Sequence, residues 1–269
     1  MITWSSFPLF ALLSLMLWLA GALSALMRSA GGRRLALWLT AAGVVVYAVF
    51  VGGLWHSLQR PPLRTLGETR LWYTLFMMLS GLVVYARWRY RWILLCSLLV
   101  GTVFMCINVF SPDTHDRSLM PALQSAWFVP HVTVYMFSYS IFGCAFLLSV
   151  AGLWQRTGRF LPSTDRLMLT GYCFLTAGML SGCIWAKQAW GNFWTWDAKE
   201  TWAAACWCAC LVYVHLRRPA LQHPVTATHD KAYVHPYAWV IIAFALLQMC
   251  WYGVSFLPSA AASMHNYAY

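Results

Sequence analysis

Between Ala189 and Trp202 the chain reads AWGNFWTWDAKETW, with four tryptophans and Phe193 crowded around Asp197, Lys199 and Glu200 in a protein of which only 9% is charged. Indoles set this close around a glycine offer flat apolar surface with a polar N–H edge, suited to covering a planar ligand. Asp197 followed by Glu200 three residues on has the form of a capping box. The aspartate would accept from the first free N–H groups of a following helix while the glutamate reaches back. Three of the eight histidines stand out beside this stretch. His131 follows Pro130 at the start of an apolar run, His265 follows the last apolar run, and His215 lies well inside one, in WCACLVYVHLRRP. An ionisable residue inside an apolar run is costly and by default suggests a functional site. His215, just before Arg217 and Arg218, also suits the C-terminal dipole of a helix.

The elements that must position these residues follow from composition. The 269 residues are 61% hydrophobic and 17% aromatic, with a mean hydropathy of +0.61. A soluble domain would carry about a quarter charged residues, so the chain reads as an all-α polytopic membrane protein. The net charge of +11 does not point to nucleic acid, because the bases fall in short clusters between apolar runs, as membrane orientation requires. The nine cysteines contain no Cys-x-x-Cys pair, and Cys206, Cys208 and Cys210 alternate, which suits small buried hydrophobes better than a thiol or metal site. The N-terminus lacks a basic n-region and a cleavage site, so the first apolar run is expected to be a retained helix.

A membrane span needs about 20 apolar residues. Eight runs qualify: Phe7–Met27, Leu35–Trp55, Leu71–Ala86, Trp92–Phe110, His131–Trp154, Leu167–Lys187, Ala198–Leu216 and Pro236–Leu257. Their connections alternate in basic content. Arg28, Arg33 and Arg34; Arg87, Arg89 and Arg91; Arg156, Arg159 and Arg166; and Arg217, Arg218 and Lys231 fall on one side. Arg60, Arg64, Arg70, Arg117, Lys187 and Lys199 fall on the other. The richer side is expected to be cytoplasmic, which makes both termini extracytoplasmic, together with the loops at 56–70, 111–130 and 188–197. The tryptophan stretch then lies outside, between the sixth and seventh helices. Interfacial belts account for Trp4 and Trp72, but a belt needs only one or two rings per helix end.

In this topology His131 and His265 lie at the outer face, and His215 lies about 27 Å along the seventh helix from Asp197. Two outer imidazoles flanking an aromatic loop could be the axial ligands of one haem, since haem iron is commonly held by histidine. His223, His229 and His235 are expected in a solvated loop, and His56 and His115 are weaker candidate ligands.

The stretch WAKQAWGNFWTWDAKETWA closely resembles the tryptophan-rich WWD signature of the haem-handling proteins of cytochrome c maturation. Its WDAKETW ending looks most like the CcsA (ResC) family, the integral membrane half of the System II cytochrome c synthase. SLMPALQSAWFVPHVTVYMFSYS around His131, LVYVHLR around His215, YGVSFLPSAAASMHNY around His265 and RPPLRTLGETRLWY resemble family segments in order and spacing. The resemblance covers residues 55–269 and implies an N-terminal helix pair (1–55) followed by a haem-handling domain (56–269).

What it implies further is a haem transporter and lyase-type holocytochrome c synthase in the bacterial cytoplasmic membrane, with the WWD loop outside. Haem b would be bound transiently as substrate. His131 and His265 would be its outer axial ligands and His215 a ligand within the membrane. Trp190, Gly191, Trp194, Trp196 and Asp197 would hold the macrocycle, and His131, His265 and Asp197 would carry catalysis. An apocytochrome c bearing Cys-x-x-Cys-His would receive the haem through thioethers to its vinyl groups, its own histidine later displacing one ligand. Thiol-reducing proteins are expected partners.

Two departures matter. The family's membrane site uses two histidines and only His215 is found here, so a CcsB (ResB)-like subunit would supply the other. Ala198 stands where many relatives carry proline, which leaves capping intact. Lys187 or Lys199 could pair with the haem propionates. Two other readings remain. One is a CcmC-like exporter that delivers haem to a chaperone without synthase activity, against which the Lys-Glu-Thr ending and eight spans weigh. The other is a b-type haem electron-transfer subunit, for which a complete inner site is missing.

Overall fold

Several of the helices begin or end at a cap that the sequence supplies, which satisfies backbone groups that lipid cannot. In the computed structural model, which describes residues 1–115, 121–222, 233–258 and 263–265, there are eight long helices. They are α1 (Phe7–Leu26), α2 (Ala30–Leu58), α3 (Leu66–Trp88), α4 (Ile93–Phe110), α5 (Phe128–Trp154), α6 (Leu161–Trp190), α7 (Ala198–Gln222) and α8 (Val234–Trp251). No strand occurs among the described residues. The Ser29 side chain accepts from Gly32 N–H at the start of α2, and a full capping box of Thr65 and Glu68 opens α3. Gly191, at φ +83°, closes α6 in the left-handed region that glycine enters without strain.

The chain is an all-α polytopic membrane protein. Six helices, all but α3 and α7, are long and apolar enough to cross a bilayer by themselves. The helices overrun the spans expected from hydropathy. α3 begins five residues earlier than Leu71 because its capping box extends it. α6 runs from Leu161 to Trp190, which shortens the following loop to 191–197. α8 stops at Trp251, and a 3-10 turn, Gly253–Phe256, takes up most of the rest of the eighth run. His131 is the fourth residue of α5 rather than its opening residue. His235, expected in a loop, lies in the first turn of α8. Arg117, His223, His229 and Lys231 lie outside the described residues.

The chain divides into two compact units, Met1–Leu119 and Met120–Tyr269. In the first, α1 packs on α2 and α4, and α3 packs on α2 and α4. Its apolar residues also face outward, with Leu9, Leu23, Trp38, Val45, Leu99 and Val103 exposed, as lipid contact demands. The fully buried Glu68 is satisfied by both terminal nitrogens of Arg60, at 2.9 and 2.8 Å, and by the N–H groups of Arg64 and Thr65.

In the second unit α5 packs on α6 and α8, and α7 on α6 and α8. Close approach uses small residues, as is usual in membranes: a methyl group at Gly178 would meet the Tyr135 ring at 2.5 Å. α6 and α7 are also joined by charge. Asp165 accepts from Tyr213 Oη at 2.6 Å and from Arg217 Nε and Nη2 at 2.8 and 2.7 Å. The pair is largely buried, with side chains 15% and 7% exposed. Removing one partner of such a pair leaves the other unpaired and costs about 3–5 kcal/mol. Asp165→Ala is therefore expected to lower the melting temperature in detergent clearly. An unchanged melting temperature would mean that the network does not hold these helices.

Candidate functional site

The seven residues between α6 and α7 have few helical bonds of their own and are held by a small set of side chains. Lys187 Nζ donates to Gly191 O at 2.7 Å and lies over the Phe193 ring. Glu200 Oε2 gathers Thr195 N–H at 2.8 Å, the Thr195 hydroxyl at 3.3 Å and Asp197 N–H at 3.1 Å. The Thr201 hydroxyl donates to Trp196 O at 3.1 Å. Between these anchors Trp196 is held at φ +59°. For a bulky residue this conformation costs of order 1–3 kcal/mol, and such strain concentrates at functional sites. Its indole is 70% exposed and stands edge-on to Trp194, with centroids 5.7 Å apart. The Trp194 N–H is buried without a hydrogen-bond partner.

Asp197 is the N-cap of α7 and more. Its Oδ1 accepts from Lys199 N–H at 3.0 Å, the capping bond read from the sequence. The same carboxylate accepts from the Ser263 hydroxyl at 2.9 Å, from Met264 N–H at 2.8 Å and from His265 Nδ1 at 3.0 Å. Burial pushes this carboxyl's pKa up, but the hydrogen bonds from His265, the Lys199 N–H and the Ser263 hydroxyl outweigh it. They hold Asp197 well below the usual carboxylate range. The sequence alone could not show that the helix cap is also the anchor of the C-terminal segment.

His131 and His265 come from elements far apart in sequence and meet at one aromatic cluster. His131 stacks on Trp185 with centroids 5.3 Å apart and planes at 24°. His265 meets Trp185 edge-on at 5.5 Å and Trp190 at 4.6 Å, and Trp185 and Trp190 touch at 4.8 Å. Trp185 itself is buried and donates to Ala122 O at 2.8 Å. It was not among the expected site residues. Its place one turn and a half before Trp190 on α6, in WAKQAW, was the available signal.

The two imidazoles share a further property. His131 Nδ1 lies 2.8 Å from Gly178 O, and a carbonyl can only accept, so Nδ1 carries the proton. His265 Nδ1 faces a carboxylate oxygen, with the same result. Each ring is therefore left with Nε2 as the nitrogen able to hold a metal, the arrangement in which an outer partner sets a ligand's tautomer. Buried apolar rings beside two imidazoles whose Nδ1 positions are hydrogen-bonded are a donor set that fits a haem.

The other expected residues lie apart from this cluster. Gly191, Trp194 and Trp196 belong to the loop. His215 is exposed on α7, its Nδ1 bound to Leu211 O of its own helix at 2.9 Å. His56 is exposed at the end of α2, and His115 stacks on Trp4 at 3.7 Å within the first unit.

Because its folded pKa is depressed, Asp197 adds stability that is fully present above the ordinary carboxylate pKa, about 3.9. That contribution is lost as the pH falls through the lower folded value. Asp197→Asn is expected to lower the melting temperature, by an amount worth about 1–3 kcal/mol for bonds to a charged group. The gap from wild type should persist from neutral pH down to about pH 4 and close only below it. A gap that closes well above that range would contradict the assignment.

Residues 63–261 match the family model described as "Cytochrome C assembly protein". A "Cytochrome c biogenesis protein CcsA" of Chlamydomonas reinhardtii is 31% identical over 187 residues, covering 65% of this chain and 49% of that protein. One of Phalaenopsis aphrodite subsp. formosana is 27% identical over 270 residues, covering 79% and 80%. One of Synechococcus sp. (strain RCC307) is 30% identical over 199 residues, covering 59% and 60%. Among solved structures, "Cytochrome c Heme Lyase CcmF" superposes with a TM-score of 0.73 over 93% of this chain and 46% of that one, at 18% identity. The two share a fold. The chain spans about half the length of the algal relative and of the solved structure.

Proposed function

We propose, starting from the premise that the chain belongs to the cytochrome c assembly protein family, among relatives of the CcsA type, that it handles haem as a substrate and presents it for covalent attachment to an apocytochrome c. The observation that carries this reading is the meeting of His131 and His265 at the Trp185–Trp190 cluster, each with its Nδ1 hydrogen-bonded. Residues 56–269 carry this work, and 1–55 form a preceding helix pair.

The residues divide the task. His131 and His265 bind the iron, Trp185 and Trp190 line the site, and the loop bearing Gly191, Trp194 and Trp196 covers the flat macrocycle from the outer face. Asp197 holds the loop's end and His265 together. The polyaromatic wall excludes water and aligns a haem vinyl group with a substrate thiol, and alignment supplies much of the rate when two partners must be brought together. Thioether formation adds the S–H of a cysteine across a vinyl double bond. The sulfur takes one carbon and the proton goes to the other, with no net oxidation, so the substrate cysteines must arrive as thiols.

In this reading all eight helices cross the membrane, the Arg-rich connections face the cytoplasm, and both termini and the tryptophan loop face outward. His215, exposed on α7, is one half of a membrane site completed by a CcsB-like subunit. Haem b would be taken up there before it reaches the outer site.

The test is the absorption spectrum of the detergent-purified chain, expressed with and without a CcsB-like partner. The expected result is a reduced six-coordinate haem with two nitrogen ligands. Haem content should fall at least about a hundredfold in His131→Ala and His265→Ala, the upper end of what loss of an outer-shell partner costs, and should be partly restored by free imidazole. Trp194→Ala with Trp196→Ala should also lose haem at normal membrane levels. A chain that stays haem-free with its partner would remove this function.

A further inference from the structure

We propose that the turn bearing Arg60 and Arg64, just before α3, is an anion site in which the Arg64 guanidinium takes a phosphate group, carried by a lipid headgroup or free in solution. The site lies in the first unit and is independent of how haem is bound.

The segment RPPLRTLGETRLW has no part in the haem chemistry proposed above, yet it is closely built. Glu68 draws several donors onto its two oxygens. Its Oε1 accepts from Arg60 Nη2 at 2.8 Å, and its Oε2 accepts from Arg60 Nη1 at 2.9 Å, Arg64 N–H at 2.6 Å and Thr65 N–H at 3.3 Å. These donors fill the acceptor capacity of a carboxylate, and its one negative charge is matched by Arg60. Arg60 Nη1 also donates to Pro61 O. Two consecutive prolines stiffen the turn, and Trp72 of α3 fastens it by donating from Nε1 to Pro62 O at 2.8 Å.

Arg64 is the surplus cation of this arrangement. Its backbone N–H serves Glu68, but among the described residues no carboxylate pairs with its half-buried guanidinium. Burial, and then the charge of Arg60, push its pKa down against the opposing pull of Glu68. Two positive charges thus share one carboxylate that is already engaged, on a backbone that is fixed in place. An anion relieves such a like-charge pair. Phosphate suits it, because a guanidinium presents a planar fork of N–H donors to phosphate oxygens. The depth suits a lipid, since Trp72, which fastens the turn, is of the type that settles at headgroup level. In the topology proposed above the turn also lies on the side with fewer bases, where positive charge works against the orientation of the chain. A bound anion gives Arg64 a role that orientation does not.

Thermal unfolding of the full chain in detergent tests this, because a ligand that binds the folded state raises the melting temperature in a saturable way. Phosphatidylglycerol, phosphatidylcholine or inorganic phosphate is titrated in at constant ionic strength. Arg64→Gln keeps the backbone N–H that serves Glu68, and Arg28→Gln removes the same charge from an exposed position between α1 and α2. Phosphatidylglycerol is expected to stabilise the wild type and Arg28→Gln alike, and phosphatidylcholine, whose phosphate carries its own cation, to do so more weakly. In Arg64→Gln the apparent affinity should fall at least about tenfold, the scale of one hydrogen bond to a charged group. Arg64→Lys should recover part of it, since the charge returns without the fork. Stabilisation by inorganic phosphate as well would assign the site to phosphate itself, and stabilisation by phosphatidylglycerol alone would assign it to the lipid headgroup. A wild type that responds to neither, or an Arg64→Gln that responds as the wild type does, would overturn the proposal and leave the haem reading untouched.

Discussion

The carboxylate of Asp197 organises the outer end of the second unit by accepting from the N–H of Lys199 in its own helix and from three donors of a segment more than sixty residues later. A helix start in a membrane protein leaves several N–H groups that lipid cannot satisfy. Glu200 and Asp197 answer that local need and, with the capacity left over, order the tryptophan loop on one side and the C-terminal segment on the other. The strained Trp196 and the position of His265 both follow from this one cap. Function here is added to a structural necessity, which is economical in a chain with seven acidic residues in all.

The remainder of the site depends on how closely α5 and α6 can approach. Glycines at 178 and 182 remove the side chains that would keep Tyr135 and His131 at a distance. The approach brings the Gly178 carbonyl to His131 Nδ1 and sets the tautomer of a ring that later acts through its other nitrogen. In lipid such packing is driven by van der Waals fit and by satisfied polar groups rather than by the hydrophobic effect. The Asp165–Arg217–Tyr213 network does the corresponding work where α6 and α7 meet at their other ends. The precision of the outer site is thus set by small residues and a few polar pairs spread along the helices.

Much of this was legible in the order of residues. Eight helices, their approximate limits and the cap at Asp197 follow from apolar run length and from the Asp-Ala-Lys-Glu spacing, because these are local properties. The helix ends were less legible. α3 and α6 each gain turns from polar residues, Thr65 with Glu68 and Ser163 to Asp165, that a hydropathy reading assigns to loops. His131, His265 and the tryptophans were picked out by type and by resemblance. Trp185 was passed over because within α6 it reads as one more apolar residue of a span.

What the sequence by itself determined is therefore the membrane class, the helices, and which side chains have the chemistry to hold a flat metal-bearing ligand, since composition, periodicity and residue type act over a few turns at most. Only the tertiary structure decided that Trp185 is the surface on which two distant histidines meet, that one of them lies in a helix while the other is bonded to the Asp197 carboxylate, and that His215 is left exposed. Those outcomes depend on which helix faces lie against each other and on which acceptor a distant segment reaches. No local pattern encodes them, because contacts between residues far apart in the chain are chosen by packing and by the need to satisfy each buried polar group once the helices are together.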